Sequence, residues 1–358
     1  MNFSSQIINW YKENKRDLPW RETGDPYKIW LSEIILQQTR VEQGLSYYLD
    51  FVNSFPTIQS LAKATEDRIM KKWQGLGYYS RARNMYYTAK VIVNEYNGVF
   101  PDDFSLLKKL KGIGDYTAAA IASFAFNKPN AVVDGNVVRV ISRIFGIKQS
   151  VDIPGTKNKI YKIVSKLITN KEPGLFNQAI MEFGELQCVP RNPKCEDCCM
   201  NHFCFAFAKN MVDKLPLKKK KNSIKNRYLN YIIVNFIKNY RNYIYVRKRT
   251  EADIWKNLYD FPSIETKANL NQEEILSSSE WNTFFRNTEP VVKGISAVFK
   301  HQLTHQTLYV RFYEVMIKSP LQNTPLNVRM ILKNEIKKLA IPRVIDKYIE
   351  TKPFCLTE

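Results

Sequence analysis

Four cysteines carry the most specific chemistry in the chain. Cys188, Cys195, Cys198 and Cys204 follow the spacing Cys-x6-Cys-x2-Cys-x5-Cys within one loop-like stretch. Four thiolates so close in sequence suit zinc or an iron–sulfur cluster. A disulfide framework belongs to small secreted chains, and this chain is long, with its cysteines bunched. Zinc sites usually bring two Cys-x2-Cys pairs; here one pair is close and the outer spacings are wide, which favours a [4Fe-4S] cluster. Cys199 is left without a role. Arg191 and Lys194 lie in the first gap, as phosphate contacts or as solvated surface charge. A second constellation, LKKLKGIGDYTA over Leu107 to Ala118, reads as a helix, a tight turn at Gly112 and Gly114, and a second helix opened by Thr117 and its alanines. Glycines there let backbone amides approach an anion closely. A Gly-x-Gly turn alone is a common connection. Its flanks sharpen it: Leu-x-x-Leu before, Thr-Ala after, and the acidic VVDGN beyond, with Asp134.

These residues must be positioned by a chain of 358 residues, enough for two or three domains at about 150 residues each. Lys and Arg number 54 against 34 Asp and Glu, a net charge of +20, which points to a polyanionic partner. With 44% hydrophobic and 25% charged residues, wholesale disorder is excluded. The start, MNFSSQIINWYKENKRDLPW, has no apolar leader segment. No window approaches the roughly 18 apolar residues of a membrane span. A cytoplasmic protein without membrane association is expected, held at the nucleoid if the source is bacterial. From Asn2 to about Leu215 apolar residues recur at threes and fours, broken at Pro26, Pro56, Gly75, Gly98 and Pro101, a helical pattern. The run Lys218 to Lys221 reads as the centre of a basic linker over 216–226. Beyond it, YLNYIIVNFI, a turn from Asn239 to Asn242, and YIYVRKR predict a β-hairpin. GISAVFK and TLYVRFYEVMI predict further strands, and Pro342 opens a helix with Val344, Ile345, Tyr348 and Ile349 on one face. The expected organisation is a mostly α domain over 1–215 and a mixed α+β domain over 227–358.

On the hairpin, the loop ending in Asp134 and the cysteine spacing, the chain resembles the helix-hairpin-helix family of DNA base-excision glycosylases, whose cluster motif has the same four-cysteine spacing. Lys111 stands where that family usually has proline before the first glycine, a departure expected to loosen the turn slightly. Upstream, PYKIWLSEIILQQTRV is similar to the catalytic helix of the MutY family of adenine DNA glycosylases, in which an acidic residue precedes Gln-Gln-Thr; here it is Glu33. Trp30, Ile34 and Gln37 lie within a turn of it, a partly apolar setting that raises a carboxyl's pKa. On this segment alone an exposed helix glutamate is the competing reading. Endonuclease III-like relatives place a nucleophilic lysine where this chain has Tyr116. A phenol cannot form a Schiff base, and Val138 supplies no substitute amine.

The resemblance implies a mostly α helix-hairpin-helix glycosylase domain with a [4Fe-4S] loop, followed by an α+β Nudix-like lesion-recognition domain. It implies a monofunctional DNA glycosylase that removes adenine opposite 8-oxoguanine or guanine in double-stranded DNA, as a monomer, with the cluster ligated by Cys188, Cys195, Cys198 and Cys204. Glu33 would protonate the flipped base at N7 and Asp134 stabilise the sugar cation, with Tyr116 and Asn136 organising the pocket. Arg21 and Gln178 become candidate base contacts, Gly112 and Gly114 phosphate contacts, and Tyr78 of GLGYYSRA a wedge into the duplex with Gln38 beside it. In KHQLTHQTL, Leu303, Thr304 and His305 stand where the family has Phe-Ser-His, losing the ring and keeping hydroxyl and imidazole for lesion reading. Residues 227–358 hold no Gly-started helix with clustered glutamates, so nucleotide hydrolysis is not expected. Two alternatives are a bifunctional glycosylase/AP lyase and a noncatalytic iron–sulfur DNA-binding protein.

Overall fold

The computed structural model describes residues 2–219, 224–322 and 324–351. The described residues of 1–63 and 84–221 pack as one unit, and those of 64–83 and 222–358 as a second. The stretch 64–83 packs with the C-terminal residues. Its polar side chains explain why: Asp67 accepts from Lys248 and from the Tyr259 hydroxyl, and Lys71 donates to the Leu339 carbonyl at 3.0 Å. Both ends of the expected linker, 216–226, are bonded to neighbouring structure. Leu217 and Lys219 are bonded back to Val151 and Asp152, and Lys225 to Arg227 already belong to a strand. Of the lysine run, Lys220 and Lys221 lie outside the described residues.

The first unit is helical, as the periodicity predicts. Four of its helices build the wall of a pocket. Pro26–Leu36 begins with proline, whose missing N–H costs nothing there, and is capped by Asp25, which accepts from Tyr27 N–H at 2.9 Å. It packs against Asp115–Phe126, whose buried face runs through Ala118, Ala119 and Ala120; such small side chains allow a close helix approach. Pro173–Leu186 packs against that helix, against Phe3–Asn14 and against Gly135–Ile144. Its Gly184 is required: a Cβ there would lie 2.7 Å from the Asn136 Cβ. Val140, Ile141, Phe176, Ile180 and Phe183 fill the common core. The second hairpin helix opens at Asp115, capped by Gly114, two residues before the expected Thr117.

The second unit is built on a mixed sheet of β1 (Lys225–Lys238), β2 (Arg241–Lys248), β3 (Tyr259–Asp260), β4 (Ser263–Thr266), β5 (Val291–Ile295), β6 (Phe299–Gln302), β7 (Gln306–Ile317) and β8 (Val328–Leu332). The main order is β3-β2-β1-β7-β5, with β4 on β1, β6 on β7 and β8 on β2. β1 and β7 run parallel and the other pairs antiparallel. The expected hairpin is β1–β2. Its turn is tighter than Asn239 to Asn242: Asn239 and Tyr240 alone connect the strands, both at positive φ, the geometry a two-residue hairpin needs. GISAVFK is not one strand. It breaks between Ile295 and Phe299, where Ser296 exchanges bonds with the Phe312 backbone, and both halves pair with β7. Leu303, Thr304 and His305 form the tip between β6 and β7. The expected C-terminal helix is Arg343–Thr351, and its Tyr348 stacks on Phe312 at 3.9 Å.

Candidate active site

In the helical unit one pocket of about 190 Å³ is lined by Glu33, Tyr116, Asp134, Asn136, Gln178 and Arg21. Residues spread over 158 positions of sequence thus meet because four helices and the turn Pro19–Arg21 converge on the same space. Glu33, in the middle of the Pro26–Leu36 helix, is only 8% exposed, which removes the reading of it as an exposed helix glutamate. Burial pushes its carboxyl up to about 7; a hydrogen bond with Tyr116 pulls the other way, the nearby Asp134 charge adds to the rise, and Arg21 opposes it. Burial and the two carboxyls hold the Tyr116 phenol well above its ordinary range, so it stays a neutral donor. Asp134 caps the Gly135–Ile144 helix, accepting from Val137 N–H at 2.7 Å and from the Asn136 amide at 3.1 Å. Burial pushes its carboxyl up, and the backbone N–H groups of Val137 and Asn136 resist. The capping role and the pocket position therefore coincide in one residue.

Arg21 lines the pocket, yet its fork is committed elsewhere. Nη1 and Nη2 donate to Glu182 at 2.9 and 2.6 Å, and Arg16 donates to the same carboxylate at 2.9 and 2.7 Å. Burial would raise the Glu182 carboxyl, but hydrogen bonds from Arg21 and Arg16 outweigh it and hold it at about 2. Bidentate pairing of this kind fixes planes as well as charges. Gln178 accepts from the Tyr11 hydroxyl at 3.0 Å through Oε1, which leaves its amide nitrogen as the donor for a ligand. Sequence reasoning missed Arg16, Glu182 and Glu185. The available signal was spacing: Glu182 lies four residues after Gln178, on the same helix face.

Asn136 joins the pocket to the cysteine loop. Its amide nitrogen donates to Asp134 and to Glu185, each at 3.1 Å, while its oxygen accepts from Arg139 at 2.8 Å. Arg139 also donates to the Cys188 carbonyl at 2.8 Å. Arg143, 2% exposed, grips the same loop through the Val189 and Pro190 carbonyls and the Cys188 sulfur. Cys188, Cys195, Cys198 and Cys204 line one small apolar cavity with Phe183 and Met200. Among the described residues no three side chains of His, Cys, Asp or Glu converge as they would around one metal ion. Four thiols round a shared cavity form a donor set that fits a [4Fe-4S] cluster.

The remaining expected residues lie away from this pocket. Gly112 has φ +82, and a Cβ there would meet the Asn84 Cβ at 2.7 Å, so only glycine fits the turn. Thr88 anchors the turn by donating to the Lys111 carbonyl at 2.7 Å. Gly114 has open space around it, leaving the helix N-terminus open to an anion. Gln38 is exposed at positive φ just past the Pro26–Leu36 helix. In the second unit, Tyr78 is 40% exposed and shares a hydrogen bond with the Thr304 hydroxyl. Leu303 closes the tip by donating to Gln306 O at 2.8 Å, and His305 is exposed.

Comparison with known proteins finds two family matches. The family described as HhH-GPD superfamily base excision DNA repair protein matches residues 31–169, and the NUDIX domain family matches residues 233–351. An adenine DNA glycosylase of Buchnera aphidicola subsp. Baizongia pistaciae is 38% identical over 86% of this chain and 84% of its own. Another, of Buchnera aphidicola subsp. Acyrthosiphon pisum, is 32% identical over 97% of both. The solved structure of a thermostable thymine-DNA glycosylase superimposes with a TM-score of 0.53 at 32% identity, covering 58% of this chain and 95% of that one. No helix among the described residues is long and apolar enough to cross a membrane. With identities of this size across nearly its whole length, the chain belongs to the adenine DNA glycosylase family, a helix-hairpin-helix glycosylase unit joined to a Nudix-like unit.

Proposed function

We propose that this chain is a monofunctional glycosylase that hydrolyses the N-glycosidic bond of adenine mispaired with 8-oxoguanine or guanine in duplex DNA, working as a monomer in the cytoplasm. The observation that carries the reading is the meeting of Glu33 and Asp134 in one pocket, in different electrostatic settings. Cleavage needs a better leaving group and a stabilised sugar cation, and two carboxyls prepared differently supply both.

The flipped adenine enters the pocket and Glu33, still protonated near neutral pH, gives its proton to N7. The C1′–N9 electron pair leaves with the base, and the Asp134 carboxylate stabilises the oxocarbenium that remains. Water then attacks C1′, losing its proton to Glu33, which restores the acid and leaves an abasic site. Tyr116 holds Glu33 by hydrogen bond and offers no amine, which supports hydrolysis over a lyase step. Gln178 supplies a donor to the base edge, Asn136 orients Asp134, and Arg21 forms a charged wall.

The amides at Gly112 and Gly114 hold phosphate, and the charge of +20 supplies the sequence-independent attraction to the duplex. Tyr78 enters the stack, with Gln38 as its neighbour in the bound complex. Thr304 and His305 read the C8 carbonyl and the N7 proton that distinguish 8-oxoguanine, without the ring that Leu303 replaces. Cys188, Cys195, Cys198 and Cys204 would hold a [4Fe-4S] cluster, which when bound cross-links their loop. Arg139 and Arg143 tie that loop to the helix carrying Asn136.

The test is single-turnover excision of adenine opposite 8-oxoguanine, guanine and thymine. Release with preference for the 8-oxoguanine pair is expected. Replacing Thr304 and His305 by alanine should erode that preference by about 1–3 kcal/mol, the scale of one or two base-edge contacts, while slowing the guanine-paired substrate much less. Equal slowing of both would make the tip a structural turn, and no base release from any duplex would overturn the function.

A further inference from the structure

We infer that Arg81 is a positioning residue for Tyr78, holding its ring ready for insertion and so governing how readily a paired adenine leaves the stack. The inference rests on the reading of Tyr78 as the wedge. The segment from Trp73 to Arg81 has three backbone positions in the left-handed region, Gly75 at φ +100, Gly77 at +73 and Tyr78 at +46. For Tyr78 that conformation is unfavourable, because its Cβ crowds the backbone, and such a turn persists only where its surroundings over-determine it.

Arg81 does the determining. Its side chain is buried, at 9% exposure. The guanidinium carbon lies 5.0 Å from the centre of the Trp73 ring and 5.6 Å from that of Tyr78. Both separations fall within cation–π range, where attraction grows as water is excluded. Nη2 also donates to the Gly77 carbonyl at 3.2 Å and to Leu76 O at 3.4 Å. The Gly77 carbonyl receives a second bond, from Trp73 Nε1 at 3.0 Å. Two donors thus fix the residue immediately before the wedge, and the guanidinium supports the wedge ring itself. The far end of that ring is held by the Thr304 hydroxyl. Burial lowers Arg81 to about 10, so it stays cationic at neutral pH. A planar fork is needed to stack and bond at once, which a lysine ammonium cannot do.

If Arg81 acts only by presenting Tyr78, its loss should matter where a base pair must be opened and not where the adenine is already unpaired. Single-turnover rates are therefore compared on adenine opposite 8-oxoguanine and on adenine opposite an abasic site, for the parent chain and for Arg81→Met, Tyr78→Ala and the double variant. Arg81→Met should slow the paired substrate about tenfold and the unpaired one by less than about twofold. The double variant should be no slower than Tyr78→Ala alone, because both changes remove the same function. Equal losses on the two substrates, or additive losses in the double variant, overturn the inference. If Tyr78→Ala itself slows both substrates equally, the wedge reading fails and takes this inference with it. If Tyr78→Ala is selective and Arg81→Met is not, only the role of Arg81 falls. Should the methionine variant not fold, Arg81→Lys carries the test: it keeps the charge and loses the fork, and should slow the paired substrate alone.

Discussion

Replacing Glu33 by glutamine removes a carboxyl that burial holds at about 7 instead of its ordinary 4.5. Between those values the folded chain keeps a proton that the unfolded chain has lost. Stability therefore falls as pH rises through that window, and the full loss is present above about pH 7. At about 1.4 kcal/mol per pH unit the gap amounts to about 3 kcal/mol. Glutamine has nearly the same shape and cannot ionise, so Glu33→Gln escapes the loss. Its stability relative to the parent should improve by most of that amount between about pH 5 and about pH 8, measured by urea unfolding followed through the helical circular-dichroism signal. The same variant should bind duplex and release no adenine. In the parent, the single-turnover rate should fall about tenfold per pH unit once the proton is lost above about pH 7. Parallel stability curves for the two proteins would show that Glu33 ionises as an ordinary glutamate, and the assignment of Glu33 as the acid would fail with them.

Asp134→Asn should keep the helix cap, since asparagine caps as well as aspartate, retain duplex binding and nearly abolish base release; excision at the parent rate would remove Asp134 from the chemistry. Tyr116→Lys should yield a covalent adduct on borohydride trapping with substrate DNA, and equal trapping by the parent chain would point to another lysine and to a lyase. Anaerobic purification should give a brown protein absorbing near roughly 400 nm, the colour weakening in Cys198→Ser; a colourless, zinc-loaded preparation would overturn the cluster.

Much of the pocket was legible because its residues sit in short strings whose local chemistry is distinctive. Glu33 precedes Gln-Gln-Thr among apolar neighbours, Asp134 opens a helix, and Tyr116 follows the two glycines. Glu182 was not legible: a glutamate in MEFG bears no mark of the arginines 161 and 166 residues away that neutralise it. Arg21 lines the pocket, but its committed fork could not be foreseen, because its partner lies in a different helix. The attachment of 64–83 to the C-terminal residues was hidden for a related reason. Glu66 and Asp67 read as ordinary acids in the first turn of a helix capped by Thr65, and only the fold brings Asn257, Lys248 and Tyr259 against them. The break in GISAVFK escaped because both halves keep their pairing with β7, so no change of pattern marks it.

Three of the four carboxyls that line the pocket are set differently, and the arrangement of cations accounts for the difference. Glu182 receives two arginines and sits at about 2. Asp134 receives the Val137 N–H and the Asn136 side-chain amide, feels the Arg139 charge, and sits above its ordinary range. Glu33 receives a phenol and sits at about 7. Were the Arg21 fork on Glu33, that carboxyl would lose its proton at neutral pH and could not act as the acid. Were Glu182 without its arginines, an uncompensated negative charge would face the other carboxyls and raise them further. Pairing Arg16 and Arg21 to Glu182 prevents both outcomes. On the proposed mechanism it keeps a charged wall in the pocket while leaving Glu33 to be set by burial, which gives a residue that holds no proton at neutral pH a part in preparing the proposed acid.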